Sequence, residues 1–201
     1  MSLQENIEKK LNTLKATTVK LYSNTGEVYE EYRDESGELR KNKLNTSSCG
    51  YVVDHTPDLQ IGKVLPWIYI GSQDVAHDHN MLKENGITHI LSIGVPCPTY
   101  DDISTTFIEA YDTEEFDIKR TFDVCFEIID GVRESSGIVL VHCNAGISRS
   151  ATIVAAYLIR HRGINHEEAL EILKKERPKI NPNPGFVKVL ENYATAYSRK
   201  N

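Results

Sequence analysis

The 201-residue sequence predicts an α/β fold: a central, mostly parallel sheet flanked by helices, preceded by a short N-terminal extension. Three observations predict it. Short apolar runs of strand length recur at residues 67–71, 87–93, 107–111 and 137–142. Segments of helical pattern alternate with these runs and continue after the last of them, which implies parallel strands covered on both faces. The last run leads directly into a glycine-containing loop that opens on a cysteine and is followed by an apolar, alanine-containing stretch.

The elements follow in order. Residues 4–15 place Ile7, Leu11 and Leu14 at helical spacing, while residues 17–22 and Val28-Tyr29 flank Asn24-Thr25-Gly26 and read as a hairpin. Gly37 and residues 41–48 read as a polar linker, so residues 1–48 form the extension and the main domain covers 49–199. Val64-Leu65-Pro66 leads into the strand 67–71, closed by Gly71. Residues 74–84 form a helix stopped by Asn85-Gly86, and 87–93 the next strand. After a loop carrying Pro96, Pro98, Asp101 and Asp102 comes the strand 107–111. A helix runs from about Thr121 to about Glu134, with Phe122, Val124, Phe126, Ile128 and Ile129 as its apolar content. Past the strand 137–142, a helix over 150–162 ends at Gly163. Asn165 and Glu168 form a capping box for a helix to Glu176, stopped by Pro178. Residues 181–185 are a turn, and 186–197 the last helix.

Composition narrows the function classes. With 40% hydrophobic and 26% charged residues the chain is globular, and its length suits one substantial core. No stretch approaches the ~20 apolar residues of a membrane span, and the polar opening Met1 to Glu5 is unlike a signal peptide. The four cysteines are dispersed without a C-x-x-C pair, so neither a disulfide framework nor a zinc site is expected, and a reducing, cytoplasmic location is. The sequon at Asn45 is then a chance match. A net charge of −6 with no basic face argues against nucleic-acid binding. His77 and His79 flank Asp78, but two histidines two apart on a helix face different directions, so no metal is expected.

The chemistry lies in His142-Cys143-Asn144-Ala145-Gly146-Ile147-Ser148-Arg149-Ser150. The N–H groups of a loop at a helix N-terminus lack intrahelical partners and share the positive end of the helix dipole, so an anion is stabilised there. The same field favours the thiolate of Cys143, the reactive form. Arg149 offers a planar fork suited to two phosphate oxygens. A lone cysteine after a strand is usually a core residue, but the arginine and glycine at this spacing change that balance.

The C-x5-R pattern resembles the cysteine-dependent protein tyrosine phosphatases, and Ala145 to Ser150 resembles their dual-specificity branch. The similarity covers residues 49–197, through Cys49-Gly50-Tyr51-Val52, Leu65-Pro66-Trp67, Gly71-Ser72-Gln73-Asp74, His77-Asp78, Thr88 to Leu91, and Arg177-Pro178 with Asn183 to Phe186. It is similar to the small atypical enzymes that regulate stress-activated kinase pathways. The resemblance implies a protein tyrosine phosphatase-like fold and hydrolysis of phosphotyrosine and phosphoserine or phosphothreonine. It also implies stress-activated MAP kinases as partners and no cofactor. By the same resemblance Cys143 is the nucleophile, Arg149 and the backbone of residues 144–148 bind phosphate, Ser150 stabilises the departing thiolate and His142 orients the loop. Asp112, in Tyr111-Asp112-Thr113-Glu114-Glu115-Phe116 after a strand, is the expected general acid; the alternative is that all four carboxylates here, Asp112, Glu114, Glu115 and Asp117, belong to a solvated turn. A phosphoinositide enzyme would be expected to carry lysines between the cysteine and arginine, and this loop has none. The reading from a different class is a scaffold that binds kinases or phosphoproteins with little turnover. Lys9-Lys10-Leu11 has the order of a kinase docking peptide, though an ordinary amphipathic helix explains it more simply.

Overall fold

The computed structural model describes residues 19–22, 27–34, 36–47, 57–97 and 99–198. The chain divides into two compact units, Met1–Thr56 and Pro57–Asn201.

In the first unit, β1 (Val19–Tyr22), β2 (Glu27–Arg33) and β3 (Leu39–Ser47) form an antiparallel sheet in that order. The β1–β2 pairing is the hairpin expected from the sequence. Its turn and the helix expected over 4–15 lie outside the described residues. β3 overturns the expectation of a linker over 41–48. Its residues Arg40 to Lys43 are exposed, so the segment lacks the period-2 apolar pattern that marks a strand, yet its backbone pairs with β2 from Leu39 opposite Arg33 to Leu44 opposite Val28. Asp34 makes the reversal by accepting hydrogen bonds from the N–H groups of Ser36 and Glu38.

The second unit holds β4 (Gly62–Leu65), β5 (Ile68–Gly71), β6 (His89–Ile93), β7 (Ser104–Ile108) and β8 (Val139–His142) in the order β4-β5-β8-β6-β7. All neighbours are parallel except the edge pair β4–β5. Its helices are α1 (Gln73–His77), α2 (His79–Glu84), α3 (Phe122–Glu134), α4 (Arg149–Arg162), α5 (His166–Glu176) and α6 (Pro184–Ser198). The mostly parallel α/β architecture is the one expected.

Four details differ, each for a local reason. Val64 and Leu65 belong to a strand of their own, β4, which turns back through Pro66-Trp67. The helix expected over 74–84 breaks at Asp78, whose carboxylate accepts from the Met81 N–H at 3.0 Å and so caps α2. A short side chain that competes for backbone donors favours a cap over a helix interior. The strand expected over 107–111 is β7, Ser104–Ile108, whose polar start Ser104-Thr105-Thr106 hides it. The last helix begins at Pro184, not Phe186: Asn183 Oδ1 accepts from the Phe186 N–H at 2.9 Å, and a proline fits the first helical position.

Alternation along the strands builds two apolar layers. Ile68, Ile70, Leu91, Ile93, Val139 and Val141 face a core shared with Phe122, Phe126, Tyr157 and Phe186. Tyr69, Ile90 and Leu140 face a smaller one with Val75 and Leu82. Each such side chain contributes roughly 1.5–3 kcal/mol on burial. β8 is central and wholly buried, and α4 is buried from Ser150 to Ile159, so the loop between them is anchored at both ends. That loop lies at the carboxyl edge of the parallel strands, where open α/β sheets bind ligands.

Candidate active site

The connection from β8 to α4 is a ring of carbonyls tied outward. The Asn144 carbonyl accepts from the Gln73 N–H at 2.9 Å and that of Ile147 from the Asn181 N–H at 3.0 Å. Arg177 takes the two between them, donating from Nη2 to the Ala145 oxygen at 2.7 Å and from Nε to the Gly146 oxygen at 3.0 Å. The Ser148 carbonyl accepts from both the N–H and the hydroxyl of Thr152. With five consecutive carbonyls engaged, the N–H groups of Asn144 to Ser148 make no hydrogen bond among the described residues. Such a set of unengaged donors at the start of α4 is an anion cradle.

Gly146 sets the curvature of this loop. Its φ is +66°, and a Cβ there would collide with the Gly71 carbonyl. Gly94, at φ +71°, lets the β6–β7 connection approach Arg149, and a Cβ would run into the Ala110 carbonyl and the guanidinium.

Cys143 is buried, with Sγ 3.3 Å from the Ser150 hydroxyl. Arg149 donates from Nη1 to the carbonyls of Gly94 at 3.1 Å and Ala110 at 3.3 Å, which fixes the plane of its fork. Its buried Nε has no hydrogen-bond partner among the described residues and lies 3.6 Å from Asp112 Oδ2. Asp112 is brought over the loop by the irregular segment after β7, and its Oδ1 accepts from the Ser148 hydroxyl at 2.7 Å and from Asn183 Nδ2 at 2.8 Å. The alternative of a merely solvated turn therefore holds for Glu114, Glu115 and Asp117, which are exposed; Asp112 is exposed as well, but its hydrogen bonds to Ser148 and Asn183 tie it to the loop.

His142 is wholly buried at the end of β8, with Nδ1 3.2 Å from the Cys143 carbonyl. Burial pushes its pKa down to about 4, against the opposing pull of that carbonyl and with a further push from His77. The ring is therefore neutral near pH 7 and its Nδ1–H donates to the loop.

All the residues singled out in the sequence meet at this one place: Cys143, the backbone of 144–148, Arg149, Ser150, His142 and Asp112. Sequence reasoning left Arg177 and Asn183 as parts of a pattern, without a role, and missed Asp58 and Gly94. Arg177 is completely buried, which a charged side chain accepts only with several partners, and Asp58 Oδ2 lies 2.9 Å from its Nη2. Burial pushes the Asp58 carboxyl up, but hydrogen bonds from Arg177 and Lys179 outweigh it and hold the group below its ordinary value. An available signal for Asn183 was the Asn-Pro pair before an apolar helix, which marks a cap. Asp58 and Gly94 carried no comparable local signal.

A buried cysteine facing an unengaged ring of N–H donors, with an arginine fork and a held carboxylate beside it, defines a cysteine-based phosphatase cradle. Residues 68–196 match the family model described as dual specificity phosphatase, catalytic domain, and the chain belongs to that family. It is 43% identical over 147 residues to dual specificity protein phosphatase 19 of Mus musculus, covering 72% of this chain and 67% of that protein. To dual specificity protein phosphatase 15 of Mus musculus it is 46% identical over 139 residues, and the match spans 69% of this chain but only 59% of that protein's length. The crystal structure of dual specificity phosphatase 15 superposes with a TM-score of 0.67 at 44% identity, covering 70% of this chain and 90% of that one. Among the described residues no group of three or more histidine, cysteine or acidic side chains is arranged to hold a metal, and no helix is long and apolar enough to cross a membrane.

Proposed function

We propose that this protein hydrolyses phosphotyrosine and phosphoserine or phosphothreonine in protein substrates through a cysteinyl-phosphate intermediate. The observation that carries the reading is the loop itself. Every carbonyl from Asn144 to Ser148 is tied outside it, its N–H groups are unengaged, and Cys143 stands at its start.

In the proposed cycle the Cys143 thiolate attacks phosphorus in line, while Arg149 and the loop N–H groups hold the equatorial oxygens. The sulfur–phosphorus bond forms as the phosphorus–oxygen bond to the leaving group breaks. The departing oxygen keeps that electron pair and takes the proton of Asp112. Water then attacks the phosphocysteine, gives its proton to Asp112 and releases phosphate, and the Ser150 hydroxyl, 3.3 Å away, donates to the returning thiolate.

By its resemblance to the stress-pathway enzymes the natural substrates are proposed to be kinases of a stress-activated MAP kinase cascade. A cytoplasmic location belongs to the same proposal and is supported by Cys97, Cys125 and Cys143, all free thiols.

The test is phosphate release from a peptide carrying both phosphothreonine and phosphotyrosine, by the reduced wild-type protein and by Cys143→Ser. Release from both positions that disappears in the variant is expected, and Asp112→Asn should slow release by about 10²–10⁴. No release by the wild type would overturn the reading in favour of a scaffold.

A further inference from the structure

We infer that Asn183, in the turn that opens α6, is a positioning residue for Asp112 and decides which of its two oxygens carries the transferred proton. The inference rests on Asp112 being the acid of the proposed cycle, and it adds a residue from outside the phosphate loop. Four hydrogen bonds define the arrangement. Asn183 Nδ2 donates to Asp112 Oδ1 at 2.8 Å, and the Ser148 hydroxyl donates to that same oxygen at 2.7 Å. The Asn183 backbone N–H donates to Ser148 Oγ at 3.2 Å, and Asn183 Oδ1 accepts from the Phe186 N–H at 2.9 Å.

The polarity of these bonds is determined. Because Asn183 Oδ1 faces the Phe186 N–H, its NH₂ group must be the end that faces Asp112; the flipped amide would set donor against donor. The Ser148 oxygen accepts from Asn183, so its single hydrogen is directed to Asp112. Ser148 also occupies the N-cap position of α4 and makes no cap hydrogen bond there. A residue type favoured for capping has its hydroxyl committed to the carboxylate instead.

Oδ1 therefore receives two hydrogen bonds and is the acceptor oxygen. A proton on it would set a third hydrogen against two donors, so the carboxylic acid carries its proton on Oδ2. That oxygen faces Nε of Arg149, the arginine of the proposed phosphate cradle, at 3.6 Å. In the first step the Oδ2–H bond breaks as the leaving oxygen takes the proton, and in the second Oδ2 takes one from water. A second tie holds the same segment: Gly185 packs so closely on Glu114 that a Cβ would collide with the Glu114 carbonyl. Asp112 has no secondary structure of its own, so without these ties its side chain would sample orientations that miss the leaving group.

Asn183→Asp tests this directly. It keeps an oxygen to cap the Phe186 N–H but loses the donor to Asp112 and faces it with like charge. Asn183→Ser, also a good cap, is too short to reach Asp112 and serves as the second variant, with thermal melts to verify that both fold. Turnover of aryl phosphates graded by leaving-group pKa is measured alongside competitive inhibition by inorganic phosphate. The expected result is a loss of about 10–100-fold in kcat/KM on the poorest leaving groups, part of the 10²–10⁴ an acid supplies, with little loss on the best. Phosphate inhibition should change less than about twofold, and adding either substitution to Asp112→Asn should cost nothing more. Folded variants with wild-type leaving-group dependence would make Asn183 a cap only and overturn the inference. If Asp112→Asn itself shows wild-type dependence, it is the acid assignment that fails, which this design tells apart.

Discussion

Replacing His142 by asparagine should flatten the stability of this protein between neutral and mildly acid pH. The ring is wholly buried, and burial is the largest of the causes that bring its pKa from the ordinary 6.5 down to about 4. Its Nε2 has no hydrogen-bond partner among the described residues, so nothing there welcomes a second proton. The folded value lies below the unfolded one. The unfolded chain therefore binds more protons across the window, and stability that is fully present above about 6.5 is lost as pH falls toward 4. Below both values the loss amounts to about 3 kcal/mol, of which about 2 kcal/mol falls between pH ~7 and pH ~5. Asparagine places an amide N–H where Nδ1–H donates to the Cys143 carbonyl and does not titrate. Urea denaturation at the two pH values, for wild type and variant, measures the slope directly. His89 is also held below its ordinary value by burial and contributes to both proteins, so the difference between the slopes is the readout. Equal slopes would refute the argument that a buried, neutral His142 underlies the acid sensitivity.

Three further outcomes follow from the same geometry. Arg177→Met strands the carbonyls of Ala145 and Gly146 and the Asp58 carboxylate, and should cost about 3–5 kcal/mol in denaturant unfolding along with loss of phosphate inhibition; a variant within about 1 kcal/mol of wild type would deny it a structural role. Gly146→Ala combines a φ of +66° with a collision against Gly71, and should lower kcat/KM by at least about 100-fold, because an ångström of misplacement suffices for that; undiminished kcat/KM would show that the loop does not depend on this turn. Hydrogen peroxide should inactivate the enzyme in a way that a thiol reductant reverses and bound phosphate slows, since the thiolate of Cys143 is the form that peroxide oxidises, to a sulfenic acid. Activity that survives peroxide would count against a thiolate nucleophile.

What was legible in the sequence and what was not divides along the distance between partners. Cys143, Arg149 and Ser150 lie within one short segment, and the chemistry of a strand, a glycine turn and a helix start can be read without knowing the fold. The capping box of Asn165 and Glu168 is equally local and forms as expected. Arg177 acts on the loop from 31 and 32 positions away and on Asp58 from 119, and only the tertiary fold brings these together. Gly94 meets Arg149 across 55 residues. The polar strand β3 escaped for a related reason: its pairing is carried by backbone groups that every residue has, so an exposed lysine-rich run conceals it. Asn183 stands between these cases. Its cap on α6 is written in the Asn-Pro pair, but its contact with Asp112, 71 residues earlier, is not. The same side chain thus does one local and one distant task, with the cap orienting the amide for the carboxylate. That is why a substitution that keeps the cap and removes the donor separates the stability of the helix from the placement of the acid.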